Sequence, residues 1–277
     1  MCTVWYMTQP TSHISPRRLA AIASVAAALL APAAAHADQS APTVEVDVAD
    51  QAITIAGTQR LHPGAIRLHL SGDALSEPRT VAVVELERGV TARAARDELD
   101  DLTKIGRLVA GANLSAGHDY ATTFTARARR HLIVDVTAEN GGEARFSVAG
   151  KPSGARLPES DAAIVIGDDG FDVPAALPAD GVLRIANEGA LPHQLTAIRL
   201  PASVSVEKAR RIVRSGARLD RLGTATVLSG LVSPGAVNRV ESRLRRGRYL
   251  VVSLYAPLVE NGRPDVLRGL VAATRIR

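Results

Sequence analysis

Leu191-Pro192-His193-Gln194-Leu195-Thr196-Ala197-Ile198-Arg199-Leu200 is the stretch on which the reading of this chain turns. A proline and one histidine open it and an apolar run closes it, the pattern of a strand entering a core just past a turn. The turn is written immediately upstream in Asn187-Glu188-Gly189. Before it, Leu177-Pro178-Ala179-Asp180-Gly181-Val182-Leu183-Arg184-Ile185 reads as another short strand with its own turn residues.

The same order of signals occurs once earlier. Leu61-His62-Pro63-Gly64-Ala65-Ile66-Arg67-Leu68 leads through a turn to Pro78-Arg79-Thr80-Val81-Ala82-Val83-Val84-Glu85-Leu86, which places Arg79 where the later stretch has His193. Both stretches run into helical spacing, over 92–99 after Thr91 and over 206–213 after Ser205. Thr91 and Ser205 are suitable N-caps, and Glu207 falls in a first turn, where the helix dipole favours a carboxylate. The match resumes without a gap from Ala116-Gly117, aligned with Pro234-Gly235. It runs through Arg130-His131-Leu132-Ile133-Val134-Asp135, aligned with Arg248-Tyr249-Leu250-Val251-Val252-Ser253. The expectation is two copies of one domain, 38–148 and 161–277, joined by a Gly-, Pro- and Ser-rich linker at 149–160.

Within each copy the dominant pattern is short alternation, as in Val44-Glu45-Val46-Asp47-Val48, broken by Gly, Pro, Asn and Asp. Strands do not alternate regularly with helices, which argues against an α/β fold. The predicted fold class is all-β, two tandem Greek-key β-sandwiches, each with one inserted helix.

Residues 1–37 read as a signal peptide. Arg17 and Arg18 precede a small apolar run, and Ala35-His36-Ala37 offers small residues at a cleavage site before Asp38. The expected location is therefore extracytoplasmic, periplasmic or secreted. Cys2, Met1 and Met7 hold all of the sulfur in the chain, so a mature protein starting at Asp38 has none and can form no disulfide. Its roughly 240 residues suffice for one or two cores. The apolar share of 46% argues for globular order. Loss of the two leader arginines takes the net charge from +5 to about +3, too weak a bias to indicate nucleic acid. No later segment is apolar enough for a transmembrane helix.

The second half resembles the cupredoxin-like (blue copper) family from Ile164 to Ile276. Phe171-Asp172-Val173-Pro174, Asn187-Glu188-Gly189, Pro192-His193 and Gly247-Arg248-Tyr249 carry the likeness. The resemblance implies cupredoxin-like sandwiches and puts His193 at the first copper-ligand position. Ser253 then stands at the cysteine position, Asp265 at the second histidine and Leu270 at the methionine. In the first half, likened only through the repeat, Arg79 and Asp135 stand at the histidine and cysteine positions, and an ion pair between them would be structural.

A blue copper centre needs a thiolate, two imidazoles and usually a weak axial thioether. With three of those four residue types replaced, the sequence predicts no catalytic residue, no metal ligand set and no cofactor. His193, Ser253, Asp265 and Leu270 are vestigial ligand positions, expected to lie together with the His193 ring held by a hydrogen bond there. The predicted function is an exported, non-catalytic binding or envelope accessory module. The alternative is a non-blue zinc or copper(II) protein using His193. A remoter one is a hydrolase using Ser253, His193 and Asp265, although no Gly-x-Ser-x-Gly elbow surrounds Ser253. Multicopper oxidases need His-x-His pairs, and none exists among His62, His69, His118, His131 and His193. His62 and His69 are read as flanking a strand, and His131 as a packed or edge residue.

A candidate anion-binding surface comes from alternation before Tyr249. Val240, Ser242 and Leu244 fall on one face, and Arg239, Glu241, Arg243 and Arg245 on the other, with Arg246 and Arg248 following. Arg127 and Arg130 align with Arg245 and Arg248. The partner is unknown from sequence, an anionic envelope polymer or another exported protein being the candidates.

Overall fold

The alternation in Val44-Glu45-Val46-Asp47-Val48 becomes a strand whose valines are buried and whose carboxylates face out. The computed structural model describes residues 40–91, 94–95, 98–137, 142–215, 222–253 and 265–277. The expected leader lies outside them, as does most of the helix expected at 92–99. Of that helix, Thr91 Oγ1 accepts from the Ala94 amide at 3.1 Å and Ala95 is buried, the start of a capped turn.

The first half contains β1 (Thr43–Ala49), β2 (Ala52–Ala56), β3 (Gly64–Ser71), β4 (Arg79–Leu86), a 3-10 helix (Leu99–Lys104), β5 (Gly106–Leu114), β6 (Tyr120–Ala126), β7 (Arg130–Asp135) and β8 (Glu143–Ser147). The second contains β9 (Ala162–Gly167), β10 (Gly170–Asp172), β11 (Ala176–Leu177), β12 (Asp180–Asn187), β13 (His193–Arg199), α1 (Val206–Arg214), β14 (Thr224–Val232), β15 (Val237–Arg243), β16 (Gly247–Val252), α2 (Asp265–Arg268) and β17 (Val271–Ile276). The helix expected at 206–213 is α1. Ser205 Oγ accepts from the Lys208 amide, Glu207 sits in the first turn, and Ala209 and Val213 pack inward.

The strands form all-β layers. β5-β4-β7-β8 is one sheet and β11-β17-β16-β13-β14 another, and both pack against a single eight-stranded sheet ordered β10-β9-β12-β15-β6-β3-β1-β2. Each half contributes four strands to the long sheet in the same pattern. β1 runs parallel to β3 and β3 antiparallel to β6, as β9 runs parallel to β12 and β12 antiparallel to β15. Ile66, Leu68 and Phe124 from the long sheet meet Val83 and Ile133 from one cover, and Leu183 and Ile185 belong with Leu195 and Val251 from the other, all in one continuous core. Each such fully buried aliphatic side chain contributes about 1.5 to 3 kcal/mol.

The halves are fused by backbone. β6 and β15 pair through Phe124 with Asn238, Thr123 with Arg239 and Thr122 with Val240. The Leu108 amide donates to Ser233 Oγ, and the Ser233 amide donates back to the Leu108 carbonyl, both at 2.9 Å. The Tyr120 hydroxyl reaches the Leu228 carbonyl at 3.2 Å. At the crossing of β5 and β14, Gly111 and Gly230 bring the chains so close that a Cβ on Gly230 would lie 2.2 Å from the Gly111 carbonyl carbon.

The stretch expected as a linker is laid along this body. The Ala149 amide donates to Leu61 O at 3.0 Å and the Ser153 amide to Pro63 O at 2.9 Å. Ala155 O accepts from Ala65 at 3.2 Å, and Pro158 O accepts from Arg239 Nε at 3.0 Å.

Candidate functional site

The His193 corner is built from the turn before it. Asn187, buried at the end of β12, donates through Nδ2 to the carbonyls of Leu191 and Val232, both at 2.8 Å, and accepts from the Gly189 amide at 3.0 Å. This fixes the loop that delivers His193 to the start of β13. Asp168, in the turn between β9 and β10, accepts from the amides of Ala190 and Leu191 at 2.8 and 3.1 Å, tying the same loop from the other side.

His193 is wholly buried, and each ring nitrogen faces a carboxylate. Nδ1 lies 2.7 Å from Asp265 Oδ2 and Nε2 lies 3.1 Å from Asp168 Oδ1. A neutral imidazole can donate from one nitrogen only, so two ionised acceptors call for the imidazolium. Burial works against that charge, but hydrogen bonds and charges of Asp265 and Asp168 outweigh it and raise the His193 pKa. Burial would lift the Asp168 carboxyl, yet the loop amides and His193 bring it below the ordinary value.

Asp265, the first residue of α2, is the hub. Its Oδ2 also accepts from Ser253 Oγ at 2.5 Å, and Arg268 Nη1 lies 3.4 Å from Oδ1. Arg268 Nη2 in turn donates to the Asp168 carbonyl at 3.2 Å. Two carboxylates thus meet two cations. Leu270 is wholly buried, and its carbonyl accepts from the Ser253 amide at 3.4 Å. The structure therefore brings together all four residues singled out from sequence, His193, Ser253, Asp265 and Leu270. Sequence reading missed Asp168 and Arg268.

The first half builds a related corner. Arg79, opening β4, lies 3.8 Å from Asp135 Oδ2 through Nη1 and 3.5 Å from Asp50 Oδ1 through Nη2. The Arg79 to Asp135 pairing expected from sequence is present, and Asp50 was missed. Asp50 sits one residue past β1 as Asp168 sits one past β9. It accepts from the Ser76 amide, three residues before Arg79, as Asp168 accepts from Ala190, three before His193.

The resemblance to blue copper proteins implies a metal at the His193 corner, and the donors present do not fit one. Both imidazole nitrogens are engaged, Ser253 gives its proton to Asp265, and Leu270 offers no lone pair. Among the described residues no group of three or more His, Cys, Asp or Glu is arranged to hold a metal ion. The triad order is absent too. A serine nucleophile needs its proton taken by histidine, whereas Ser253 is bonded to Asp265 and wholly buried.

On the candidate anion surface the alternation along β15 is as expected, Val240, Ser242 and Leu244 being buried. The arginines divide. Arg243, Arg245 and Arg246 are exposed, whereas Arg239 is bonded to Pro158 and Arg248 Nη2 donates to the carbonyls of Pro201 and Ala202 at 3.1 and 3.0 Å. Arg248 thus clasps the loop before α1, and the aligned Arg130 bonds the Val90 carbonyl just before the turn capped by Thr91. Among the remaining histidines, His69 lies inside β3 rather than flanking it, its Nδ1 2.7 Å from Glu45. His62 Nδ1 contacts the Ala149 carbonyl at 3.0 Å, and His118 is held in its own turn. His131 is wholly buried and stacked on Phe146 with ring centres 4.7 Å apart.

No helix of the described residues is long and apolar enough to cross a membrane. No family model and no curated protein matches the chain. Among solved structures it is similar to a dithionite-reduced auracyanin from the photosynthetic bacterium Roseiflexus castenholzii, at 13% identity over 42% of this chain and 95% of that one, with a TM-score of 0.27. It is also similar to auracyanin A, a blue copper protein of Chloroflexus aurantiacus, at 13% identity, 42% and 98% coverage and a TM-score of 0.25. A multicopper oxidase is similar at 12% identity, with 85% of this chain and 88% of that one covered and a TM-score of 0.25.

Proposed function

We propose that this chain is an exported tandem of two cupredoxin-like copies in which each copper corner has become an ion-paired lock, and that it acts by binding rather than by electron transfer or catalysis. The observation that carries this reading is His193 held between Asp168 and Asp265, with both ring nitrogens occupied. Such a ring is a brace. The corresponding placement of Asp50, Arg79 and Asp135 supports descent of both corners from one plan. Export rests on the leader at 1–37, and the exposed arginines Arg243, Arg245 and Arg246 offer a surface for an anionic partner.

The test is addition of copper(II) and of zinc to the purified mature protein, followed by absorption spectroscopy and metal analysis. The expected result is no intense blue thiolate band and no metal retained through desalting. Stoichiometric zinc or copper(II), lost in His193→Ala, would replace this reading with that of a metal-binding protein.

A further inference from the structure

Where the two halves meet, a cleft of ≈ 820 Å³ opens between the ends of β4 and β6 and the start of β5 on one side and the 190–192 and 233–234 turns on the other. Its size falls in the range of small-molecule sites, and its position between lobes is where such sites concentrate. The fused backbone fixes its walls.

The floor is underbonded. Glu85 faces Arg107 Nη2 at 3.7 Å, Arg127 Nη1 at 3.8 Å and His131 Nε2 at 3.8 Å, all beyond hydrogen-bond reach, and its side chain is 4% exposed. The hydrogen bond it accepts comes from the Arg127 amide, at 3.2 Å. Arg107 Nε is buried with no partner. Burial pulls the Arg107 pKa down, Glu85 offsets part of that, and the neighbouring Arg127 lowers it further. Arg129 and Arg88 line the same space. Buried polar groups are nearly always satisfied, so an unpartnered Nε on a guanidinium that lines the cleft marks a place short of an acceptor. Leu86, Leu191 and Pro192 supply an apolar wall beside them.

We infer that this inter-lobe cleft is a binding site for a small organic oxyanion, its carboxylate or phosphate group held by Arg107 and Arg127 and its body lying against Leu191 and Pro192. Guanidinium groups match planar oxyanions in two-point contact, and the partly buried Arg107 does so with less competition from water than an exposed arginine. The site shares the 190–192 turn with the His193 corner, but its arginines belong neither to that corner nor to the exposed group at 243–246, so its failure would leave the copper and zinc result untouched.

The test is calorimetric titration of the full purified protein with citrate and with inorganic phosphate at low ionic strength, against sodium chloride at matched ionic strength. Saturable one-to-one binding of at least one oxyanion is expected, and which one binds separates carboxylate from phosphate recognition. Arg107→Gln and Arg127→Gln should each weaken it about tenfold, the loss of one charge-assisted hydrogen bond, while Lys151→Gln, at an exposed cation outside the cleft, leaves it unchanged. Arg127 is largely exposed, so its variant carries the test if Arg107→Gln fails to fold. Heats no different from chloride, or equal weakening by Lys151→Gln, would overturn the proposal.

Discussion

His193 Nδ1 lies 2.7 Å from Asp265 Oδ2, with neither side chain exposed to solvent. That contact makes Asp265, and not Ser253, the residue on which the corner depends. Asp265→Ala takes from the buried ring its wholly buried partner and leaves it only the partly exposed Asp168, so it should lower the unfolding free energy by about 3 to 5 kcal/mol. Ser253→Ala loses one hydroxyl bond to the carboxylate and should cost about 1 to 2 kcal/mol. Urea denaturation of both variants checks the order. Equal losses would mean that the hydroxyl, not the ion pair, holds the corner.

The pH dependence follows from the raised His193 pKa. A histidine whose folded pKa exceeds its unfolded value of 6.5 contributes stability fully present below that value and lost as pH rises through the folded one. The melting temperature should therefore fall as pH rises above 6.5 through the raised pKa. Asp265→Asn, which weakens what raises the pKa, should move that fall to lower pH.

His131 acts in the opposite direction. Burial pushes its pKa down from 6.5 to about 4, with Glu85 and the backbone at Arg129 opposing only in part. The unfolded chain then binds the proton more readily, and stability is lost as pH falls from 6.5 toward 4. His131→Phe keeps a ring against Phe146 and removes the titration. It should flatten that part of the acid limb in thermal melts between those pH values, whereas an unchanged limb would place the titrating group elsewhere.

The glycine crossing predicts a local sensitivity between the halves. A Cβ at Gly230 meets only Gly111 backbone within 2.5 Å, so no side chain can swing aside and the strands must part. Gly230→Ala should cost about 1 to 3 kcal/mol by overpacking. Gly170→Ala, where a Cβ meets nothing within 4 Å, should cost little. Comparable destabilisation by both would contradict the close approach.

The four positions His193, Ser253, Asp265 and Leu270 were legible as neighbours because Pro192-His193, Gly247-Arg248-Tyr249 and Gly269-Leu270 keep a spacing that one sandwich topology draws together. The helix at Val206–Arg214 was legible because its cap and periodicity are local signals. Asp168 was not, since in Gly167-Asp168-Asp169-Gly170 it reads as an ordinary turn residue. Only the parallel pairing of β9 with β12 carries that turn back to His193. Extending the alignment of Arg79 with His193 back to the residue ending each first strand would have found Asp50 and Asp168 together. The joint between halves left no local mark either. Thr122 and Thr123 in β6 read like any half-exposed strand residues, and their partners in β15 lie more than a hundred residues away.

The most direct measurement is the protonation of the His193 ring, by long-range proton–nitrogen NMR of protein labelled with nitrogen-15 in histidine, near neutral pH. The expected spectrum has both His193 ring nitrogens protonated, still so above the ordinary histidine pKa of about 6.5 and unchanged by zinc or copper(II). A neutral ring with one bare nitrogen, whose signal shifts or broadens when either metal is added, would contradict an ion-paired lock and return the corner to metal binding.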